Sequence, residues 1–469
     1  MKYSKILLTT LILVYFLWSC NALKKEIVIS DDGKRPNIIF ILTDDQRWDA
    51  LGYAGNKIIH TPNMDKLAAE GLYFSNAFVT TPICAASRAS LFTGLYERTH
   101  DFTFGKAPLK NEYMYESYPY LLKKAGYRTG FVGKFGVKVN KGIEDSLFNF
   151  CVKTAWPYLR EINGRERHLA DINGDHAIEF IKSVKKGRPF CLSLSFWSPH
   201  ADDGAKEQYF WPDYVDSLYT DVEIPVPETA DPAFFENLPE YLKTGTMNRK
   251  RWHWRFDTPE KYQRMVKGYY RMISTVDSVL ARIRKTLEEE NIADNTVIIF
   301  MGDNGYFLGE RGYAGKWLLY EQSIRVPLII YDPRLPETKR GKTYQEMVLN
   351  VDVTPTILEL AGIKPPQRYQ GKSLTVFYEN KPEDWRTGIF LEHRLENNET
   401  IRMTDGYRDE TYKFIRYDRK PDLIELYNLK EDINEVNNLA LDEKYAEKVK
   451  YYRHKCDSAV NKLLSDRVH

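Results

Sequence analysis

Short apolar runs alternate along the chain with segments whose apolar residues recur at helical spacing. Five runs are typical of buried strands: 36–42, 128–132, 190–196, 296–301 and 326–331. Three segments predict helices, the first of them with one continuous apolar face: 260–289, 63–70 and 117–125. Strands that alternate with helices predict an α/β fold with a large, mostly parallel sheet flanked by helices.

Near residue 370 this pattern changes. Shorter strand-like pieces follow at 387–392 and 412–417, and the last apolar periodicity, over 443–464, predicts a final helix. We therefore expect one large domain over 35–370 and a smaller C-terminal α+β subdomain over 371–469. Residues 202–258 are irregular and rich in Pro, Trp and Tyr, which predicts an insertion near the functional site.

The first residues of the chain are typical of a targeting segment. Lys2 and Lys5 precede an apolar run over 6–18 that is too short for a comfortable membrane span, and the run ends in Leu-Trp-Ser-Cys at Cys20. This ending resembles the bacterial lipobox. The resemblance implies a lipoprotein signal peptide over 1–20, a lipid on Cys20 and a polar tether over 21–34. The alternative is an ordinary signal peptide with an incidental cysteine.

The lipobox resemblance also implies a location. The protein would lie in the periplasm or at the cell surface of a bacterium, in contact with the membrane only through its lipid anchor. The formal net charge of +2 gives no electrostatic footprint for nucleic acid.

Polar residues follow four of the predicted strands, close to the point where each strand ends. They are Asp44 and Asp45, then Lys134, then His200, and finally Asp303 and Asn304. Ligands of open α/β sheets bind at the carboxyl ends of the strands. The sequence therefore predicts one functional site to which all four strand ends contribute.

The two acidic pairs of this site favour a metal ion. Asp44-Asp45 and Asp303-Asn304 offer carboxylate and amide oxygens, and hard oxygen ligands select calcium or magnesium over zinc. Either pair alone would be interpreted as a turn or a helix cap. Both pairs directly after apolar strands favour a divalent metal site, with Ca²⁺ expected and Mg²⁺ as the alternative.

Cys84 lies in the segment 81–94, which is typical of a loop that opens into a helix. The amides at the helix start and the side chain of Arg88 would bind an anion there. The alternative is a buried cysteine next to a surface arginine.

At this segment the chain resembles a known family. Cys84-x-Ala86-x-Arg88, followed by Thr93-Gly94, is similar to the signature of the type I, formylglycine-dependent sulfatases, relatives of alkaline phosphatase. The resemblance runs from about residue 35 to the C-terminus. Further matching motifs stand in the family's order: 61–65, 125–129 leading to Gly133-Lys134, Ser198-Pro199-His200, Asp303-Asn304-Gly305, 315–317, 325–327, 425–429 and 438–440.

The resemblance implies an alkaline-phosphatase-like fold, with 35–370 as the catalytic sulfatase domain. It implies that a separate maturation enzyme oxidises Cys84 to formylglycine, whose hydrate is a gem-diol. One hydroxyl of this diol would attack sulfur, and the second would collapse to the aldehyde and expel sulfate.

The resemblance also assigns roles to the polar residues. The metal would be bound by Asp44, Asp45, Asp303, Asn304 and one oxygen of the modified Cys84. Three cations, Arg88, Lys134 and Lys316, would bind the sulfate oxygens and stabilise charge in the transition state. His200 would donate a proton to the departing alkoxide.

Two positions depart from the family pattern. Many relatives carry a histidine two residues after the equivalent of Lys134, where this chain has Gly136, and often a histidine at the position of Arg311. His100 and His253 are candidates to replace the first histidine, and expulsion of sulfate by metal and water is the other option.

Composition also suggests where a sugar would bind. His100, His253 and Arg255 are candidate substrate contacts, the last two within an aromatic stretch at 252–255. A plain aromatic cluster is the competing interpretation. A lipid-anchored bacterial sulfatase fits the breakdown of sulfated polysaccharides, so we expect a sulfated carbohydrate substrate.

Two alternative functions, and the formation of a disulfide, stay open. The chain could be a phosphoester or phosphonate hydrolase of the same superfamily, or a catalytically dead glycan-binding surface lipoprotein. If Cys20 and Cys84 are modified, Cys151, Cys191 and Cys456 allow at most one disulfide.

Overall fold

A computed structural model describes residues 35–380, 382–395, 397 and 400–468. The predicted signal peptide and tether, with Cys20, lie outside these residues. From Arg35 onward the chain forms one compact unit.

The described residues form nineteen strands and a set of helices. The strands are β1 (Asn37–Thr43), β2 (Leu72–Phe74), β3 (Ala77–Phe78), β4 (Arg128–Gly133), β5 (Phe150–Lys153), β6 (Leu159–Ile162), β7 (Arg165–His168), β8 (Phe190–Ser195), β9 (Thr296–Gly302), β10 (Phe307–Leu308), β11 (Ala314–Gly315), β12 (Arg325–Val326), β13 (Leu328–Tyr331), β14 (Lys342–Tyr344), β15 (Val348–Leu349), β16 (Gly388–His393), β17 (Thr404–Asp409), β18 (Tyr412–Tyr417) and β19 (Lys420–Asn428). The α-helices are Pro62–Glu70, Cys84–Thr93, Glu97–His100, Asn111–Met114, Tyr118–Lys124, Ile143–Leu147, Leu169–Lys182, Pro232–Glu236, Glu240–Lys243, Met247–Arg255, Pro259–Glu289, Glu321–Ile324, Asn350–Leu360 and Ala446–Ser465.

Eight strands form the main sheet, in the order β14-β2-β13-β9-β1-β8-β4-β5. Every strand runs in the same direction except β13, which is antiparallel to both of its neighbours. All residues of β1 and β9 are buried, as expected for strands that are covered on both faces. The predicted α/β fold with a large, mostly parallel sheet is therefore confirmed.

The two faces of the sheet support two separate cores. Along β1, Ile39 and Ile41 pack into the core that includes the long helix Pro259–Glu289, whereas Ile38, Phe40 and Leu42 pack into the other. This alternation follows from the two-residue period of a strand. The second core includes Ala85 and Ala89 of the helix Cys84–Thr93, which therefore lies on that face of the sheet.

A four-stranded antiparallel sheet, β16-β17-β18-β19, and the helix Ala446–Ser465 form the C-terminal part. The strand-like pieces predicted at 387–392 and 412–417 correspond to β16 and β18, and the final helix predicted over 443–464 overlaps the helix Ala446–Ser465. This sheet shares a hydrophobic core with the large body, since Leu391 and Phe414 pack with Phe78 and Tyr320. The boundary at residue 370 stays a prediction.

Three features differ from the sequence interpretation. The run 326–331 is interrupted at Pro327, which has no N–H to donate, and forms β12 and β13 instead of one strand. The segment 202–258 is not wholly irregular, because Met247–Arg255 is a helix whose cap residue Thr246 accepts a hydrogen bond from Arg249 N at 3.3 Å. The hairpin β6-β7 and the strands β17 and β19 were not predicted.

The described residues include four of the cysteines and all the helices that can be compared with a membrane span. Cys84, Cys151, Cys191 and Cys456 are all free thiols, so no disulfide joins any of them. None of the described helices is long and apolar enough to cross a membrane.

Two buried carboxyl groups lie where the short helix Glu97–His100 meets β16. Glu392 accepts hydrogen bonds from Arg98 N at 2.8 Å and Arg98 Nε at 2.9 Å, and Glu97 accepts one from Arg394 N at 3.1 Å. Burial and the neighbouring Glu392 raise the pKa of Glu97 to about 8. Burial also raises the pKa of Glu392 to about 7, although Arg98 opposes the shift.

The raised pKa values of Glu97 and Glu392 predict that the folded state loses stability as the pH rises. A raised pKa in the folded state contributes stability that is complete below the ordinary value of 4.5 and is lost as the pH rises through about 8. We expect Glu97→Gln, which stays neutral, to reduce the fall in thermal midpoint between pH 6 and pH 9 by a few degrees, because ~1 kcal/mol shifts the midpoint by about 2–4 °C in a large domain. The exposed Glu112→Gln is the control, and equal slopes in all three proteins would contradict the prediction.

Candidate active site and metal centre

Four neighbouring strands of the main sheet, β9, β1, β8 and β4, end at the same edge. Asp303 directly follows β9, Asp44 directly follows β1, and Lys134 directly follows β4. His200 comes five residues after the end of β8. The predicted convergence of these strand ends is present in the structure, with Asp44 at its centre: the side chains of Lys134 and Arg88 both contact its Oδ2.

Cys84 is the first residue of the helix Cys84–Thr93, as the sequence predicted. All ten residues of this helix are buried, and it ends at Gly94, whose φ of 68° is left-handed and whose N–H donates to Ser90 O at 2.8 Å. The helix thus presents Cys84 at its N-terminus, where free backbone amides favour an anion. Burial raises the pKa of the Cys84 thiol, although Lys134 and Lys316 oppose the shift.

Arg88 lies one turn further along the same helix and connects the parts of the site. Its Nε donates to Asp303 Oδ2 at 2.8 Å and its Nη2 to Asp44 Oδ2 at 3.2 Å. Its Nη1 donates to Lys134 O at 2.8 Å and to the hydroxyl of Ser195. Arg88 is therefore a buried cation, and each of its three nitrogens donates at least one hydrogen bond.

Two lysines complete the charge balance. Lys134 Nζ contacts Asp44, and Lys316 Nζ contacts Asp45 and lies 3.6 Å from Asp44 Oδ1. Burial opposes the ionisation of Asp44, but Lys134 and Lys316 outweigh it and hold the pKa of this carboxyl far below its usual range. Asp303 has less compensation, so that burial and the nearby Asp44 raise its pKa to about 6.

Three buried oxygens of the site have no hydrogen-bond partner: Asp44 Oδ1, Asp45 Oδ2 and Asn304 Oδ1. The amide of Asn304 donates to Asp45 Oδ1 at 2.6 Å, so the amide nitrogen is used and the carbonyl oxygen is left. Buried polar atoms without partners are rare in proteins and call for an explanation. Oxygen atoms of this kind are the ligands of a hard divalent cation, and the residues present therefore fit a metal site.

His200 belongs to the same cluster. Asp44, Asp45 and His200 offer ligand-type atoms that all lie within 4.8 Å of one another. His200 Nδ1 lies 2.6 Å from Ala201 O and Nε2 lies 3.7 Å from Asp45 Oδ2. Burial lowers the pKa of His200 to about 4, despite Asp45. The neutral ring donates from Nδ1 and leaves Nε2 facing the site.

A cavity of about 700 Å³ opens onto this cluster. Four of the predicted residues line it, namely Cys84, Lys134, His200 and Lys316. Much of the remaining wall is aromatic or apolar and consists of Ile83, Phe104, Trp156, Trp197, Met247, Trp254, Trp317, Leu395 and Ile401.

The three candidate substrate contacts are not among the residues that line this cavity. His100 is buried, with Nε2 3.1 Å from Ser90 Oγ and Nδ1 accepting from Phe102 N. His253 points to solvent near Asp257. Arg255 is fully buried against Asp203 and Tyr306. The structure thus gives neither His100 nor His253 a place to act for the histidine that is missing at Gly136.

The two departures from the family pattern have structural counterparts. Gly136 has a φ of 69°, and a Cβ atom there would lie 2.6 Å from Arg88 Cδ, so any side chain would displace Arg88. Arg311 is buried, donates to Asn434 O and Glu435 O, and lies 4.5 Å from the centre of the Tyr320 ring. Arg311 therefore joins its loop to the C-terminal part.

Sequence reasoning missed Asp203 and Arg251, which line the cavity and form an ion pair. A signal was present, because Met247, Arg251 and Trp254 are spaced by four and three residues and thus share one helix face. The helix itself was not predicted, and His253 and Arg255 were chosen instead: His253 is on another face, and Arg255, four residues after Arg251, is buried against Asp203 and Tyr306.

Comparison with known proteins agrees with this geometry. A family model for sulfatases matches residues 36–363, and a model for the C-terminal region of N-sulphoglucosamine sulphohydrolase matches residues 309–462. An N-acetylglucosamine-6-O-sulfatase of Bacteroides thetaiotaomicron is 28% identical, over 92% of this chain and 87% of its own length.

Solved structures are similar over nearly the whole chain. A protein in complex with its substrate D-glucosamine-2-N,6-O-disulfate is 25% identical, with a TM-score of 0.76 over 92% of this chain and 99% of its own. A phosphonate monoester hydrolase of Agrobacterium radiobacter is 21% identical and shares the fold, with a TM-score of 0.70 over 92% of this chain and 96% of its own. Since the sulfatase model covers more than half of the sequence, the chain belongs to the sulfatase family and is an enzyme that hydrolyses sulfate esters.

Proposed function

We propose that this protein removes sulfate from sulfated polysaccharides or their oligosaccharides, with a formylglycine made from Cys84 and a bound Ca²⁺. The observation that carries the proposal is the arrangement around Cys84. The residue stands at the start of a buried helix, beside Lys134 and Lys316 in one cavity, and next to carboxyl oxygens that have no partner.

Asp44, Asp45, Asp303, Asn304 and the modified Cys84 would hold the metal. When bound, a divalent cation neutralises charge on the sulfate and lowers the pKa of a hydroxyl group beside it. Calcium suits an all-oxygen ligand set of this size, and Mg²⁺ is the alternative.

Lys134 and Lys316 line the cavity beside Cys84 and would bind the sulfate oxygens. Arg88 stands behind them, orients Asp44 and Asp303, and adds a third positive charge to the site. Because its Nδ1–H is donated to Ala201 O, His200 would pass a proton to the oxygen of the leaving sugar as the imidazolium, with a second proton on Nε2. These roles rest on position and on the matched motifs.

A sugar is the favoured leaving group for two reasons. The cavity wall carries four tryptophans, Trp156, Trp197, Trp254 and Trp317, whose flat faces suit the apolar faces of pyranose rings. The relative from Bacteroides thetaiotaomicron is named for its action on N-acetylglucosamine sulfate. We extend the class of substrate, a sulfated saccharide, to this chain.

Maturation and location complete the proposal. A formylglycine-generating enzyme would modify Cys84, and a lipid on Cys20 would anchor the protein to a bacterial membrane in the periplasm or at the cell surface. The support for the anchor is the sequence at 17–20 alone, since those residues lie outside the described part of the chain.

Mass spectrometry of the mature protein tests both modifications. In protein purified from membranes of a bacterial host that installs formylglycine, we expect the peptide with Cys84 to lose about 18 mass units, as the signature predicts. The N-terminal peptide should begin at Cys20 and carry acyl chains. The peptide with the buried Cys191 is the internal control and should keep its thiol. An unmodified Cys84 in that host would remove the proposed nucleophile.

Calcium binding can be tested by thermal stability, without an activity assay. A ligand at 100 times its Kd stabilises the folded state by about 2.7 kcal/mol, so saturating Ca²⁺ should raise the thermal midpoint of the chelator-treated protein measurably. Asp45→Asn should abolish most of this rise, and the exposed Asp294→Asn should keep it. An unchanged response in Asp45→Asn would argue that the cation binds elsewhere.

Matched aryl esters discriminate the sulfatase from its closest rival. The phosphonate hydrolase with the same fold makes an organophosphorus substrate the specific alternative. We expect kcat/KM for 4-nitrophenyl sulfate to exceed that for 4-nitrophenyl phosphate and for a phenylphosphonate monoester by at least about tenfold, or ~1.4 kcal/mol of transition-state binding. The reverse order would favour the phosphorus substrate.

A further inference from the structure

One face of the helix Met247–Arg255 forms part of the cavity wall, through Met247, Arg251 and Trp254. Arg251 lies over the ring of Trp317, 4.7 Å from its centre. This wall comes from the insertion at 202–258 and not from the sheet edge that carries the sulfate site. It is therefore placed to contact the sugar and not the reacting sulfate.

Asp203 is the acidic residue that this wall holds in the cavity. Arg251 binds one of its carboxylate oxygens, and Arg255 binds the other. Arg255 is itself fixed, because it is fully buried and its Nη1 donates to the Tyr306 hydroxyl at 2.7 Å. Burial opposes ionisation of Asp203, but Arg251 and Arg255 outweigh it and lower its pKa to about 2.

The Asp203 side chain is 32% exposed, so it is clamped but still open to the cavity. Each carboxylate oxygen can accept two hydrogen bonds, and each already accepts one from an arginine. One acceptor position per oxygen is left for a ligand. Two fixed acceptors side by side match two neighbouring hydroxyl groups of a sugar.

The charges of the cavity also restrict the ligand. Among the described residues that line it, Lys134 and Lys316 are paired with Asp44 and Asp45 at the sulfate site, and Arg251 shares Asp203 with the buried Arg255. Each of these lining cations therefore already has a carboxylate partner. A second sulfate or a carboxylate beside Asp203 would bring only acceptor oxygens to its free acceptor positions, and two acceptors form no hydrogen bond.

We propose that Asp203 determines the substrate specificity of this enzyme: its carboxylate binds hydroxyl groups of a pyranose that carries a single sulfate, and it excludes sugars with a second anionic group next to the reacting one. The inference rests on the proposed action on a sulfated saccharide. It makes Asp203 a substrate-binding residue for a class of singly charged, hydroxyl-rich sugars.

Steady-state kinetics on three kinds of substrate test this role. The first kind comprises N-acetylglucosamine, N-acetylgalactosamine and galactose, each with a single sulfate. The second is D-glucosamine-2-N,6-O-disulfate, and the third is 4-nitrophenyl sulfate, which has no sugar hydroxyls. We expect the wild type to prefer its best singly sulfated sugar over the disulfate by at least about tenfold in kcat/KM, as expected when an acceptor fixed in the site must pair with a hydroxyl.

Asp203→Asn should lower kcat/KM for that sugar about 10- to 100-fold, the range for loss of hydrogen bonds to a charged group. Its activity on 4-nitrophenyl sulfate should stay within about threefold of the wild type. Its preference against the disulfate should shrink. The neighbouring Asp202→Asn is the matched control, because Asp202 accepts from Gly204 N and is not among the residues that line the cavity.

Several outcomes would overturn the role of Asp203. These are an equal loss on all substrates in Asp203→Asn, a wild-type preference for the disulfate, or cleavage of the aryl sulfate with none of the singly sulfated sugars. If Asp203→Asn does not fold, Asp203→Glu keeps the charge and shifts the carboxylate, and should show the same selective loss. A wild type with formylglycine that cleaves neither sugars nor aryl sulfate would instead refute the proposed function itself.

Discussion

The site depends on one constraint, the burial of several charges at a single edge of the sheet. Moving an ion from water into a protein interior costs several kcal/mol even after relaxation, about enough to unfold a domain if left uncompensated. Here three acidic side chains and three basic ones are buried together: Asp44, Asp45, Asp303, Arg88, Lys134 and Lys316. Their charges cancel, so a divalent cation would leave the cluster positive and ready for a sulfate anion.

This balance links distant parts of the chain to each other. Lys316 directly follows β11, in a loop that the C-terminal part holds in place. On the two sides of this segment, Arg311 binds Asn434 O and Glu435 O, and Glu321 N donates to Glu435 at 2.9 Å. Lys413 lies 2.7 Å from both Glu321 and Glu435. The C-terminal sheet therefore supports the position of a charge that the active site needs, which explains why the two share one core.

The sequence predicted two things: elements with a clear hydrophobic pattern, and the residues that the ends of parallel strands bring together. Residues after β1, β4, β8 and β9 had to meet because parallel strands end at one edge. Asp203 and Arg251 could not be found in this way, since their meeting depends on how the insertion folds back over the sheet. His253 and Arg255 were chosen on composition. A one-residue step along a helix turns a side chain by about 100°, so His253 points away from the cavity that Trp254 lines, whereas Arg255 is buried against Asp203 and Tyr306.

Gly136 shows how the buried charge cluster restricts which residues can stand in the site. Arg88 reaches Lys134 O and Ser195 past this glycine, and a Cβ atom at position 136 would also lie 3.3 Å from Arg88 Nε. A histidine there is compatible only with a different placement of Arg88, and hence of Asp44 and Asp303, which Arg88 binds. The chain therefore combines a glycine with an inward arginine, and His200 is the histidine among the described residues that line the cavity. His200, whose Nδ1 donates to the backbone oxygen of Ala201, is thus the histidine left to carry the proposed proton transfer.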